Sequence, residues 1–147
     1  MIPRAPLLLG LAGLIPFVWG AATIFAPSSA VWGVANLGPS LVGPIVLLNY
    51  GTVILSFMSG VLWGFATKTH GSRAAVGYAL STLPALWAFF IAGFPPAIWG
   101  IYLIAGFIGL LLLDWSFWRQ GLAPEWWMRL RLLLTTVVVL SLSVLVF

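Results

Sequence analysis

The chain has 147 residues, 63% hydrophobic and 5% charged, with a mean hydropathy of +1.17 and a net charge of +4. Soluble domains carry about a quarter of their residues as charges, so this composition excludes that class and indicates an all-α integral membrane protein. The absence of cysteine excludes disulfides, thiolate metal sites, iron–sulfur clusters and a cysteine nucleophile, and a lone histidine, His70, cannot supply a bis-histidine haem or a conventional zinc site; neither cofactor nor metal is expected.

Nearly all residues lie in apolar runs, which predicts one polytopic membrane domain over 1–147. Span 1 is predicted at 7–25, close to the 30 Å of a hydrocarbon core at about 1.5 Å per residue, with Pro16 kinking it. Its start, Met1-Ile2-Pro3-Arg4 before an apolar run, resembles a signal peptide, but no convincing cleavage site follows and it reads as a retained span. Residues 26–39, with Pro27, Ser28, Ser29, Asn36 and Gly38, read as an uncharged loop. Span 2 is predicted at 41–67, with Ser40 as its cap and Pro44 tolerated in its first turn, and it ends at Lys68-Thr69-His70-Gly71-Ser72-Arg73. Span 3, at 74–94, takes Ser72 as cap and Pro84 as kink, and Pro95-Pro96 close it. Span 4, at 96–118, is stopped by Gly121, and span 5, at 124–147, opens on Pro124 with Glu125 in its first turn.

Five transmembrane helices gather every basic residue on one side. Arg4 precedes span 1, Lys68 and Arg73 join spans 2 and 3, and Arg119, Arg129 and Arg131 surround the last connection. The positive-inside rule makes that side cytoplasmic, so the N-terminus is expected in the cytoplasm and Phe147 in the periplasm of a bacterial inner membrane. Trp115, Trp118, Trp126 and Trp127 match an interfacial aromatic belt at the last connection.

On span 2, Asn49, Thr52, Ser56, Ser59, Gly60, Trp63 and Thr67 recur at steps of three and four, and Ser56, Gly60 and Gly64 form a small-xxx-small series. This face reads as intramolecular packing; a ligand-path lining and a homodimer contact are the alternatives. Gly60 is expected to touch a neighbouring backbone, and Tyr50 and Trp63 need partners for their polar ends. Asp114 and Glu125 are the only carboxylates and are not paired for acid–base catalysis. With Arg119, Arg129 and Arg131 they are expected to form an interfacial polar network, Arg119 being the partner anticipated for Asp114. No residue is assigned as catalytic.

The series Tyr50-Gly51, Ile54-Leu55-Ser56-Phe57, Gly60, Trp63-Gly64, followed by Arg119, Gly121-Leu122-Ala123-Pro124, Trp126, Arg129 and Arg131, forms a fairly specific joint pattern. It resembles the uncharacterised inner-membrane family that includes transmembrane protein sixty-nine of mitochondria and many proteobacterial relatives, a domain of unknown function. The resemblance implies a five-helix membrane domain, in a bacterial inner membrane or a mitochondrion, and no established activity. It draws weight to Tyr50, Ser56, Gly60, Trp63 and Gly64 and to Asp114, Arg119, Gly121, Pro124 and Trp126.

Helix surface and interface are thus the chain's main assets. The expected function is a non-enzymatic subunit or assembly factor of a larger inner-membrane complex, for example a respiratory one. Its partners would be membrane subunits or further copies of itself, together with lipids including anionic headgroups, and no nucleic acid. The alternative is a small transporter, channel or lipid-handling protein with span 2 lining the path.

Overall fold

The computed structural model describes residues 1–147. Seven α-helices follow in order: α1 (Arg4–Gly13), α2 (Ile15–Phe25), α3 (Pro27–Leu37), α4 (Gly43–Ala66), α5 (Gly71–Ile91), α6 (Pro96–Arg119) and α7 (Trp127–Ser143), with a 3-10 turn over Pro39–Leu41. Four stretches are long and apolar enough to cross a bilayer: Arg4–Phe25, Gly43–Ala66, Gly71–Ile91 and Pro96–Arg119. Only 33 of 147 residues are buried, while large apolar side chains such as Leu9, Phe57, Phe89 and Leu140 point outward. That distribution suits a bundle in lipid and makes the chain a multi-pass membrane protein.

Prolines shape two of these stretches. Pro16 has no N–H to offer Ala12 and its ring crowds that carbonyl, and the first span breaks at Leu14 between α1 and α2. At the break the Tyr50 hydroxyl donates to the Gly13 carbonyl at 2.9 Å. Pro84 lies inside α5, and there Ser59 of α4 enters the backbone ladder: its hydroxyl donates to the Ser81 carbonyl and accepts from the Ala85 N–H at 3.1 Å. A side chain inserted into a helix ladder is a recognised cause of bending, and here it also fastens α4 to α5.

Helix α4 is the centre of the bundle, contacting α2, α5, α6 and α7. Its buried face is Leu47, Leu48, Gly51, Leu55, Met58, Ser59, Leu62 and Ala66, packed with Phe17, Leu103, Phe107 and Leu110 into one apolar core. In lipid the association of helices rests on packing and interhelical hydrogen bonds, so small residues that admit close approach matter. They are not the ones expected. A Cβ on Gly20 would lie 2.7 Å from Leu47 Cγ, and one on Gly106 would lie 2.8 Å from both Leu55 Cδ2 and Trp87 Cδ1. A Cβ on Gly60 or Gly64 would meet nothing within 4 Å, which corrects the expectation that Gly60 touches a neighbouring backbone.

Other boundaries also differ. Residues 26–39 hold α3 rather than a plain loop, since Pro27 suits a first helical position and the segment winds from there to Gly38. Neither Ser40 nor Ser72 is a cap: Val42 and His70 occupy those positions, without side-chain hydrogen bonds. Helix α7 begins at Trp127, leaving Glu125 in the preceding turn. Gly121 ends α6 as expected. At φ +77° it allows the Leu122 N–H to reach the Phe117 carbonyl and its own N–H to reach that of Trp118, the double bond pattern of a Schellman stop.

The glycine contacts yield a direct contrast. Gly20→Val should destabilise the bundle by about 1–3 kcal/mol through overpacking against α4, and Gly60→Leu should stay within about 0.5 kcal/mol. Thermal unfolding of both variants in one mild detergent checks this, and equal losses would contradict it.

Candidate functional site

Two features concentrate the chain's polar chemistry. The first lies at the end of the bundle where the basic residues gather. Lys68 Nζ donates to the Leu122 carbonyl at 2.7 Å and Arg73 Nε to Gln120 Oε1 at 3.1 Å, which ties the α4–α5 turn to the α6–α7 turn. Pro6 of α1 shares a cavity wall there with Pro124 and Trp127. All three basic segments therefore lie at one end.

Within this end Asp114 is completely buried. The Schellman stop reverses the chain so that α7 lies against α6, and Trp127 and Arg131, one turn apart on one face of α7, both point at Asp114. Trp127 Nε1 donates to Asp114 Oδ1 at 3.0 Å, and Arg131 Nε donates to Oδ2 at 2.8 Å. Arg131 is itself buried, with 4% of its surface exposed. Its Nη2 has no partner, and neither has the buried Thr135 Oγ1 one turn further on.

The expected five-residue network thus contracts to one pair. Arg119 is not the partner of Asp114: it is exposed at the end of α6, with its guanidinium 5.1 Å from the Trp115 ring centre. Glu125 and Arg129 are exposed, and Asp114–Arg131 is the one ion pair. Position explains this. Arg119 is five residues beyond Asp114 on the same helix and points elsewhere, whereas Arg131 returns on the antiparallel neighbour. Of the tryptophans assigned to an outer belt, Trp115 and Trp118 are exposed, Trp126 is half-buried, and Trp127 turns inward to hold the carboxylate.

The second feature is the outward stripe of α4. Asn49, Gly60, Trp63 and Gly64 are exposed and Ser56 is half-buried, contrary to the expectation that this face packs inside the protomer. The hydroxyls do not require burial, because Thr52 Oγ1 donates to the Leu48 carbonyl at 2.8 Å and Ser56 Oγ to that of Thr52 at 2.9 Å. Asn49 does not take this recourse, as Asn36 does by donating to the Trp32 carbonyl at 2.8 Å, and none of the chain's side-chain hydrogen bonds involves Asn49. Trp63 packs on Tyr78 with ring centres 4.5 Å apart and leaves its N–H free. Between them, Ser56, Gly60 and Trp63 of α4 and Thr82 and Ala85 of α5 line an open groove of about 420 Å³. Tyr50 does not belong to this stripe; it turns toward Gly13 and meets the Phe17 ring edge-on at 5.1 Å.

Sequence reasoning missed the insertion of Ser59 and the burial of Arg131 and Thr135. A signal existed for the latter: Arg131, Thr135, Val138 and Leu142 recur at helical spacing, and all are buried.

Breaking a buried ion pair from one side typically costs about 3–5 kcal/mol, because the remaining charge is left without compensation. Asp114→Asn is expected to lose an amount of that order, and the double variant Asp114→Asn/Arg131→Gln to lose less than the sum of the single changes. Arg119→Gln should stay within about 0.5 kcal/mol. A double-mutant cycle by unfolding in detergent decides the point; additive losses, or a loss at Arg119 matching that at Asp114, would contradict the pairing.

Comparison with known proteins agrees with the residue pattern. Transmembrane protein 69 of Xenopus tropicalis is 34% identical over 149 residues, covering 95% of this chain and 53% of that protein. The chain thus spans about half the length of the curated relative it matches. No solved structure matches it. The family described as protein of unknown function DUF3429 matches residues 2–147, and the chain belongs to that family, which includes transmembrane protein 69.

Proposed function

We propose that the chain is a non-enzymatic membrane subunit or assembly factor that docks onto a larger inner-membrane complex through the outward stripe of α4. The observation that carries this reading is the unpartnered Asn49 amide on an exposed face that continues through Ser56, Gly60, Trp63 and Gly64. An amide turned to hydrocarbon without a partner costs up to several kcal/mol, whereas an interhelical hydrogen bond recovers about 0.6 to 2 kcal/mol. From Asn49 to Trp63 the stripe runs about 21 Å, long enough for a crossing helix of the partner to follow, and its glycines admit a close backbone. A conduction path along α4 has less support, because the buried face of that helix is apolar except for Ser59.

The same reading takes α7 as a fifth span, with the N-terminus cytoplasmic and Phe147 periplasmic in a bacterial inner membrane. In its favour, α7 follows α6 along its length: Trp127 meets Asp114 near one end, and Leu145 packs on Gly100 near the other. Gathering the basic residues at one end also fits the positive-inside rule.

Photo-cross-linking from position 56 in native membranes, followed by mass spectrometry, should capture a stoichiometric membrane-protein partner. Gly60→Leu should abolish capture without unfolding the protomer. Failure to capture any protein, or capture unaffected by Gly60→Leu, would overturn the docking reading. For topology, a C-terminal alkaline phosphatase fusion should be active and a C-terminal fluorescent fusion dark; the reverse would exclude five spans with a cytoplasmic N-terminus.

A further inference from the structure

At the basic end of the bundle the first turns of α5 and the last turns of α6 leave a groove of about 330 Å³ between them. Its lining changes with depth. At the mouth stand Ser72 and Arg73 of α5, both exposed, and Gln120 just past the end of α6. Below them come Val76 and Leu80, one and two turns further along α5, and Phe117, one turn back along α6. From Arg73 to Leu80 the groove descends about 10 Å, long enough to reach through the headgroup layer of a bilayer into its hydrocarbon.

Arg73 is held in place over this slot. Its Nε donates to Gln120 Oε1 at 3.1 Å and its Nη2 to the Gln120 carbonyl at 3.4 Å, which leaves three of the five guanidinium N–H donors for an acceptor outside the chain. Ser72 keeps its hydroxyl free of any partner within the chain. Lys68, whose Nζ lies 2.7 Å from the carbonyl of groove-lining Leu122, adds a second cation.

What these cations lack is an anion. The chain has two carboxylates: Asp114 is paired with Arg131, Glu125 makes no salt bridge, and neither lines the groove. A phosphodiester matches the vacancy, because its oxygens accept from a guanidinium fork and carry the missing charge. Inorganic phosphate would use the mouth alone and leave Val76, Leu80 and Phe117 uncovered, whereas a lipid covers both levels.

We infer that this groove binds one anionic glycerophospholipid, its phosphate on Arg73 and Ser72 and an acyl chain against Val76, Leu80 and Phe117. The site shares no residue with the outward stripe of α4 and depends neither on a docked protein nor on which side of the membrane the basic end occupies.

The test is native mass spectrometry of the full chain in mild detergent, with phosphatidylglycerol and phosphatidylcholine of the same acyl chains supplied together. One phosphatidylglycerol per chain should be retained, preferred roughly fivefold, the factor that one basic residue near a membrane surface carries. Arg73→Gln should remove the preference, and Arg119→Gln, which takes the same charge from the same end outside the groove, should keep it. Val76→Trp, which fills the groove from an exposed position and leaves every charge in place, should lower retention several-fold; it leaves the ties to Gln120 intact and decides the matter if Arg73→Gln does not fold. Equal retention of the two lipids, equal losses at Arg73 and Arg119, undiminished retention in Val76→Trp, or displacement of the lipid by glycerol phosphate would each overturn the inference.

Discussion

Asp114 holds the end of α6 to α7 with two hydrogen bonds, one from a ring N–H and one from a guanidinium. Within a bilayer this contact decides more than its size suggests. Removing one member of a buried ion pair typically costs about 3–5 kcal/mol, and Asp114 and Arg131 are both buried, on facing turns of α6 and α7. Arg131 and Asp114 each lack an apolar alternative, and each supplies what the other needs. Their pairing fixes α7 against α6, and α7 closes the bundle beside α2.

From that closure follows the division of the molecule into an inner and an outer chemistry. Inside, leucine and phenylalanine from α2, α4 and α6 fill the core, with Gly20, Gly51 and Gly106 allowing helices to approach. Ser59 fastens α5 where Pro84 has opened its ladder. Outside, α4 presents small and polar residues that the protomer leaves uncovered, and another face of the same helix, with Met58, Val61 and Phe65, borders an apolar cavity beside α7. One central helix thus serves three neighbourhoods with three faces.

Much of this architecture was legible in the chain. Four apolar stretches, the break at Pro16 and the stop at Gly121 follow from length, proline chemistry and glycine's access to positive φ. What failed were inferences that treated polarity as a simple signal for burial. Serine and threonine can satisfy their hydroxyls on their own helix, so Ser56 does not have to face protein, while Asn49 and Trp63 keep unmet donors. Arg119 looked like the partner of Asp114 by proximity in sequence; the reversal at Gly121 brings Arg131 instead. Residues 26–39 looked like a loop because they are short and rich in turn formers, yet Pro27 opens α3. In each case the missing information was which helix lies opposite, which periodicity within one segment does not carry.

The central claim is that the buried Asp114 contact holds α7 along the length of α6. Because the chain has no cysteine, a disulfide can report on this without background. A Cβ at Gly100 would lie 3.3 Å from Leu145 Cβ, close to the spacing a disulfide needs, and the pair sits at the end of the bundle remote from Asp114. Gly100→Cys/Leu145→Cys should cross-link rapidly under mild oxidation in native membranes, and adding Asp114→Ala should slow it sharply. No cross-link in the otherwise unaltered chain, or one indifferent to Asp114→Ala, would contradict the account.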